Sequence, residues 1–527
     1  MMTFPPAARR SARLLISAFF LGLVVPAAAD EAGPVAAGPP AAALKSDCHA
    51  RTSLPAPAAP MPAGEPGRHL PLDSVTRHRL DLPGRTLCFT ATAGSIRLVD
   101  GQGQSEAAEV AYIAYELEST TERPRPVTFV LNGGPGISSA WLQLGGVGPW
   151  RLPMAGDAVA PSAAPDVIDN AETWLDFTDL VFLDPVGTGY SRSLLSGDDA
   201  RHRFWSVDGD IETLTEVIWR WLLKNRRMAS PKYFLGESYG GFRGPRLAHA
   251  LRTERGVALN GLVLVSPVLD FGRFNGSFNT FDWVAHLPSY AATALAMKGP
   301  VTRAALTEAE AYAEGNYLSD LLRGVNDAEA VARISARVAA LTGLDPDFVR
   351  RLKGRISAGA FQREIDRKAG RVASIYDATV TGFDPSPGSQ FSRFPDPLLE
   401  ALDPPLTSAM LELYERRLGW QLDSSRYFVI NNTVTHSWDW GRGEPDAISD
   451  LREALALDPH IHVLITHGFT DLITPYFETK MLLDQIPSYG DPPRLRLVVY
   501  QGGHMHYLRD ESRIALRADA QALIEGR

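Results

Sequence analysis

Residues 236–240 read Gly-Glu-Ser-Tyr-Gly, a pattern that can turn a serine hydroxyl into a nucleophile. The run matches G-x-S-x-G, in which the serine occupies a strained turn between a strand and a helix. The preceding residues 232–235 predict a strand, and residues 246–255 predict a helix with Pro245 in its first turn. Ser238 is therefore the candidate nucleophile. The alternative is an ordinary strand-to-helix turn that contains a serine.

A serine hydroxyl is a weak nucleophile until a base takes its proton, and the base in this chemistry is a histidine. His504 follows a predicted strand at 495–500 through a glycine-containing loop, where a catalytic loop belongs. His506 is the alternative base. His467 is predicted to lie on a turn, and His462 is predicted to pack in the core within a strand.

The histidine needs a carboxylate that holds it in the correct orientation. When the nucleophile lies in G-x-S-x-G, the chain order is serine, then acid, then histidine, each on a turn after a strand. Asp471 follows the predicted strand at 462–466 through a turn that contains Gly468. We therefore predict Asp471 as the acid, and a plain turn or capping role is the alternative.

Attack on a carbonyl also requires two backbone N–H groups that stabilise the developing oxyanion. The N–H of Tyr239, directly after the nucleophile, is the first candidate. The second is expected from the glycine-rich loop Asn132-Gly133-Gly134-Pro135-Gly136, which follows a predicted strand at 127–131. Taken alone, that loop would be better interpreted as an ordinary turn.

Six short apolar runs predict the buried strands of the sheet that positions these side chains. They lie at 127–131, 180–183, 233–235, 262–265, 462–466 and 495–500. Amphipathic helices are predicted at 210–227, 477–486 and 511–525, and residues 95–117 predict two antiparallel strands. The alternation of strands and helices predicts an α/β fold with a mostly parallel sheet and helices on both faces.

The pattern changes between residues 272 and 440, where helical segments and proline-rich connections replace the strand-and-helix alternation. We interpret this stretch as a largely helical cap inserted into the core. The core is then divided into residues 69–271 and 441–527. Residues 30–68 are rich in Ala and Pro and predict a linker.

The composition is that of a globular chain, because 45% of the 527 residues are hydrophobic and 21% are charged. It excludes a fibrous or disordered protein. The net charge of -9, with no long run of Lys or Arg, argues against nucleic acid as a partner. Cys48 and Cys88 are too few for a metal cluster, and they either form one disulfide or remain two thiols. We expect neither a metal nor an organic cofactor.

Residues 1–29 have the build of a secretory signal peptide. Three arginines precede an apolar run at 14–25, and small residues follow it before Asp30. The run is too short for a comfortable membrane span, although an uncleaved anchor is an alternative. We expect an exported, periplasmic or extracellular protein without stable membrane insertion after cleavage.

Four motifs, taken together and in this order, resemble the serine carboxypeptidase family. They are the glycine-rich loop at 132–136, Leu183-Asp184-Pro185-Val186-Gly187-Thr188-Gly189-Tyr190-Ser191, the serine turn at 236–241, and Gly502-Gly503-His504-Met505. The resemblance is to a secreted, bacterial member of the family. The chain differs from eukaryotic members, which usually read Asp-Gln-Pro at the second motif and carry several disulfides.

The resemblance implies an α/β-hydrolase fold and a catalytic triad of Ser238, Asp471 and His504. It implies that the backbone amides of Gly134 and Tyr239 form the oxyanion hole. The implied activity is the release of C-terminal amino acids from peptides through an acyl-enzyme. An esterase or acyltransferase on the same scaffold is the alternative, and an inactive binding protein is a further one.

The resemblance also implies that Asn132, Gly133 and Glu237 hold the carboxylate at the free C-terminus of the peptide substrate. Two carboxylates in contact repel unless they share a proton, so this role predicts a protonated Glu237 and tighter binding at acid pH. Met505 and Ile473 are implied to line substrate pockets.

Overall fold

The computed structural model describes residues 69–99, 105–119, 123–154, 159–274, 279–389, 394–422 and 425–526. The predicted signal peptide (1–29) and linker (30–68) lie outside the described residues and stay predictions. Within the ranges given, no helix combines the length and the apolar character that a membrane crossing requires.

Fourteen strands occur in the described ranges. They are β1 Ser74–Leu82, β2 Arg85–Val99, β3 Glu106–Leu117, β4 Val127–Leu131, β5 Trp150–Arg151, β6 Ile168–Asp169, β7 Asp179–Leu183, β8 Arg192–Ser193, β9 Lys232–Glu237, β10 Gly261–Val265, β11 Arg371–Ala373, β12 Thr381–Phe383, β13 His462–Gly468 and β14 Leu495–Tyr500.

Ten of these strands form one sheet in the order β1-β2-β3-β7-β4-β9-β10-β13-β14, with β8 paired to β3. The six strands from β7 to β14 in this order run parallel, and β1, β2 and β3 add an antiparallel edge. Carboxyl ends of parallel strands meet at one edge of a sheet, which is where an open α/β sheet places its site. The turns after β4, β9, β13 and β14 therefore share that edge.

The central strands form because their side chains are apolar on both faces. All five residues of β4 are buried, as are those of β7 and β10. Successive side chains alternate across the sheet, so Phe129 and Leu131 join one apolar cluster and Val130 joins the other. Helices cover both clusters and exclude water from the sheet.

The described helices are α1 Ala140–Leu142, α2 Gly197–Phe204, α3 Val207–Lys224, α4 Tyr239–Arg255, α5 Thr280–Ala296, α6 Arg303–Tyr312, α7 Leu318–Leu322, α8 Ala328–Thr342, α9 Pro346–Arg351, α10 Ala358–Glu364, α11 Leu399–Glu412, α12 Asn432–Ser437, α13 Ile448–Leu457, α14 Tyr476–Leu483 and α15 Asp510–Glu525. Helices α5 to α12 and the β11–β12 hairpin lie in sequence between β10 and β13. The boundaries of a cap at 272–440 remain a prediction.

The strand order and the sharp turn between β9 and α4 confirm the predicted α/β-hydrolase fold. Three details of the prediction are wrong. His467 does not lie on a turn but is a buried residue of β13. Helix α4 begins at Tyr239 rather than near residue 246, so Pro245 lies inside the helix, where burial of Phe242 and Leu247 offsets the usual cost of a proline. His462 is exposed rather than packed in the core, because it is the first residue of β13 and lies at the end of that strand.

Cys88 on β2 is disulfide-bonded. Cys48 lies outside the described residues.

Candidate active site

Ser238 lies at the turn between β9 and α4 with backbone angles φ 59° and ψ −121°. A positive φ is strained for a residue with a side chain, and such strain is concentrated at functional turns. The turn is tight enough that a Cβ on Gly236 would lie 2.1 Å from the carbonyl oxygen of Gly240. The glycines of the motif therefore permit the turn, and the serine is left partly exposed at the sheet edge.

Asp471 and His504 meet on the turns after β13 and β14. His504 Nδ1 lies 2.9 Å from Asp471 Oδ2, and both side chains are buried. The hydroxyl of Thr474 donates to the same carboxylate oxygen at 2.6 Å, and the N–H groups of Ile473 and Thr474 donate to Oδ1 at 2.8 and 3.0 Å. The carboxylate is thus fixed, and it holds Nδ1 of the imidazole so that Nε2 is left for the reaction.

The two groups shift each other's pKa. Burial alone would raise the pKa of Asp471, but the charge and hydrogen bond of His504 outweigh it and hold the pKa below its usual range. Burial alone would lower the pKa of His504, but the charge and hydrogen bond of Asp471 outweigh it and raise the pKa. A buried imidazole with a raised pKa is a stronger base, which suits proton removal from a serine.

The turns that carry Ser238 and His504 are joined through the end of β10. The N–H of Ser238 donates to the carbonyl of Val265 at 2.9 Å, and the hydroxyl of Ser266 donates to the carbonyl of His504 at 2.8 Å. Adjacent strands thus hold the nucleophile turn and the histidine turn together.

Tyr376, which lies between β11 and β12, also fixes the histidine. Its carbonyl accepts the N–H of His504 at 2.6 Å, and its ring meets the imidazole edge-on with centroids 5.6 Å apart. A Cβ on Gly503 would lie 1.9 Å from the Tyr376 carbonyl oxygen, so only glycine fits before the histidine. Sequence reasoning missed Tyr376, Thr474 and Ser266, because no motif connects them to the turns they support.

The glycine-rich loop packs against the nucleophile turn. A Cβ on Gly133 would lie 2.6 Å from the backbone nitrogen of Tyr239 and 2.9 Å from the Cβ of Ser238. Within the described residues, the N–H groups of Gly134 and Tyr239 donate no hydrogen bond to a protein acceptor. Both amides are therefore available to an oxyanion, and their role in an oxyanion hole stays a prediction.

Glu237 is buried directly before Ser238, and the hydroxyl of Tyr507 donates a hydrogen bond to its Oε2 atom. Burial raises its pKa from 4.5 to about 7, although the charge of His504 and the neighbouring side chains of Tyr507 and Asn132 oppose the rise. The group is therefore a carboxylic acid over much of the acidic range. A neutral acid beside the nucleophile can donate a hydrogen bond to an anionic ligand.

The remaining predicted residues, Met505 and Ile473, lie close in sequence to His504 and Asp471 and have no demonstrated role. Met505 is buried in the apolar cluster on one face of the sheet, and Ile473 is partly buried beside Asp471. Their pocket roles stay predictions. Burial lowers the pKa of His506 to about 3, and its Nε2 lies 3.1 Å from the hydroxyl of Thr466. These properties favour His504 over His506 as the base.

One group of described side chains could offer ligands to a metal ion. His249, Asp450 and Glu453 place ligand atoms within 4.8 Å of one another, between α4 and α13. Arg252 already forms an ion pair with Glu453, and all three side chains are partly or fully exposed. We assign no metal to this cluster.

Comparison with known proteins supports the serine carboxypeptidase family. Residues 88–290 match the family model described as serine carboxypeptidase. Serine carboxypeptidase-like 9 of Arabidopsis thaliana is 26% identical over 176 residues, which cover 32% of this chain and 38% of that protein. Pheromone-processing carboxypeptidase KEX1 of Coccidioides posadasii is 26% identical over 374 residues, which cover 68% of this chain and 49% of that protein.

The chain therefore spans less than half the length of these curated relatives. The family match includes the glycine-rich loop and the serine turn, whereas Asp471 and His504 lie beyond residue 290. Among solved structures, the proline iminopeptidase of Mycobacterium smegmatis is 15% identical, covering 82% of this chain and 98% of its own, with a TM-score of 0.35. The fold assignment depends on the strand order and the serine turn, not on that similarity.

Proposed function

We propose that this protein is a serine-type carboxypeptidase that releases amino acids from the free C-terminus of peptides. The observation that carries the proposal is the buried Glu237, which lies beside the nucleophile with its pKa raised to about 7 by burial. A protonated carboxyl there can bind the terminal carboxylate of a peptide. A neutral ester offers no such group to bind.

The proposed reaction is a two-step acyl transfer. His504 Nε2 takes the proton of the Ser238 hydroxyl as the oxygen attacks the last peptide carbonyl. The amides of Gly134 and Tyr239 stabilise the oxyanion, each contributing about 3–4 kcal/mol. His504 then gives its proton to the nitrogen of the departing amino acid, and the C–N bond breaks.

The acyl-enzyme is hydrolysed by the same groups. His504 takes a proton from water, the hydroxide attacks the ester carbonyl, and the proton returns to the Ser238 oxygen as the peptide leaves. Asp471 keeps the imidazole in position and stabilises its charged form in both steps. Neither step of this proposed reaction requires a metal or an organic cofactor.

Asn132 and Gly133 complete the proposed carboxylate site. Gly133 lies against the turn that carries Ser238, and the side chain of Asn132 lies beside Glu237. This proximity supports a carboxylate site formed by the loop and the acid. A terminal carboxylate bound there would put the last peptide bond beside Ser238.

A paired substrate experiment tests the proposal. A blocked dipeptide with a free C-terminal carboxylate is compared with its C-terminal amide, and the products are identified by mass spectrometry. We expect release of the C-terminal amino acid, a strong preference for the free acid, and loss of turnover in Ser238→Ala. Equal turnover of the two substrates would instead support the alternative, an esterase or acyltransferase without a carboxylate site.

Export also remains a proposal. It depends on the signal-peptide pattern at 1–29, and it predicts a mature chain beginning at Asp30. N-terminal sequencing of the protein from the periplasm or medium tests it, and retention of residue 1 in the cell fraction would contradict it.

A further inference from the structure

Tyr507 lies three residues after His504, in the short turn His506–Leu508, and its side chain is fully buried. Its ring packs against Gly145 and Gly146. A Cβ on these glycines would lie 2.8 Å and 3.2 Å from carbon atoms of the ring. The two glycines therefore create the space for the ring, and close packing leaves the hydroxyl in one place.

The hydroxyl of Tyr507 donates a hydrogen bond to Glu237 Oε2. The side chain of Asn132 lies beside both of these side chains. The Oδ1 atom of Asn132 accepts the N–H of Leu142 at 2.9 Å, so its NH₂ group is the end that faces Tyr507 and Glu237. The three side chains are buried together beside Ser238, and the hydrogen bond from Tyr507 holds the Glu237 carboxyl group.

The hydrogen bond from Tyr507 favours one oxygen of neutral Glu237 over the other as the site of the proton. A neutral carboxyl group has one O–H donor and one carbonyl oxygen that only accepts. Because Tyr507 donates to Oε2, that oxygen serves as the acceptor. The proton of neutral Glu237 therefore belongs on Oε1.

We propose that Tyr507 is a positioning residue for the terminal carboxylate of the substrate, because it fixes the Glu237 carboxyl so that Oε1 presents the proton. The inference rests on the proposed carboxypeptidase function and names a further residue of the same site. Phenylalanine at 507 would keep the ring packing but would leave the carboxyl free to rotate.

The titratable side chains that face Glu237 are His504, Asp471, Tyr507 and Tyr376. The hydroxyl of Tyr507 stabilises ionised Glu237, so its removal raises the pKa of that carboxyl further. In Tyr507→Phe the loss of substrate binding with rising pH should therefore move to higher pH. A residue that acts only in packing would leave this profile unchanged.

The test compares the wild type, Tyr507→Phe and Tyr290→Phe on a free-acid peptide and its C-terminal amide, from pH 5 to pH 9. Tyr290 is a matched control, since it is also buried but donates to the carbonyl of Ile356 at 3.3 Å, away from Glu237. For Tyr507→Phe we expect KM for the free acid to rise about tenfold, with kcat nearly unchanged and little effect on the amide. Tyr290→Phe should behave as the wild type.

A second variant, Gly146→Ala, shifts the ring without removing the hydroxyl, and it should raise the free-acid KM in the same selective way. Equal losses on both substrates, or no change in Tyr507→Phe, would overturn the role of Tyr507 while the active wild type still supports the proposed function. A wild type that releases no C-terminal amino acid would overturn the proposed function itself.

Discussion

Replacing Glu237 by glutamine should stabilise the protein at high pH. Burial raises the pKa of the carboxyl from 4.5 to about 7, so the folded protein holds this proton more tightly than the unfolded chain. Stability must then fall as pH rises from 4.5 through 7. One pKa unit corresponds to about 1.36 kcal/mol, so the ionised group costs about 3 kcal/mol at pH 8 and about 1 kcal/mol or less at pH 5.

Glutamine is neutral at both pH values, and its carbonyl oxygen can still accept the hydroxyl of Tyr507. The assay is urea unfolding of the wild type and Glu237→Gln at pH 5 and pH 8. Because all other titrating groups are the same in the two proteins, their contributions cancel in the difference between the two free energies of unfolding. We expect the free energy of unfolding of Glu237→Gln, relative to that of the wild type, to increase by about 2–3 kcal/mol from pH 5 to pH 8.

A control substitution at an exposed acid, Glu329→Gln, should show no such growth, because its side chain is 87% exposed. If the difference in the free energy of unfolding between the wild type and Glu237→Gln is the same at pH 5 and pH 8, the Glu237 carboxyl has the same pKa in the folded and the unfolded protein. The account of a protonated Glu237 would then be wrong.

Three further predictions concern the reaction. Asp471→Asn should lower kcat about 10³–10⁴-fold with little change in KM, because asparagine cannot stabilise the charged imidazole of His504. A change in KM alone would contradict this role of Asp471. Gly133→Ala puts a Cβ 2.6 Å from the nitrogen of Tyr239, so kcat/KM should fall at least about 100-fold. The control Gly359→Ala should leave kcat/KM unchanged, because no atom lies within 4 Å of the added Cβ, and an active Gly133→Ala would refute the placement of the oxyanion hole. The kcat/KM for a free-acid peptide should fall above about pH 7 as Glu237 ionises, and the amide should lack this decline; matching profiles would oppose the carboxylate role.

The parallel strands and the turns that follow them could be predicted from the sequence because their signals are local. A strand such as β4 is a continuous apolar run, since both of its faces are covered. The serine, acid and histidine turns each follow such a run. Their positions at one sheet edge then follow from the parallel direction of the strands.

The first strand of the antiparallel edge was harder to predict than the two strands that follow it, for a physical reason. Strand β1 alternates between exposed and partly buried positions, and its inward side chains include Thr76 and His78. His78 packs on Phe89 and Trp150 through its ring, so a polar residue fills an apolar role. Hydrophobic alternation, the usual signal of such a strand, is therefore missing over most of its length.

The supporting residues of the site could not be found from the sequence. Tyr376 reaches His504 from the segment between β11 and β12, more than one hundred residues away in the chain. Tyr507 is close to His504 in sequence, but its contact with Glu237 spans 270 positions. Both contacts depend on how segments distant in the chain pack against each other. The spacing of residues within one motif does not determine this packing.

The central proposal is that Ser238 is activated by His504 beside an oxyanion site. A phosphonofluoridate probe tests it directly, because it reacts with a serine that has an adjacent base and forms a stable adduct. Peptide mapping of the labelled wild type should find one adduct, on Ser238, and labelling should slow at least about 1000-fold in His504→Ala. An adduct on another residue, or equal labelling rates in the two proteins, would contradict the account.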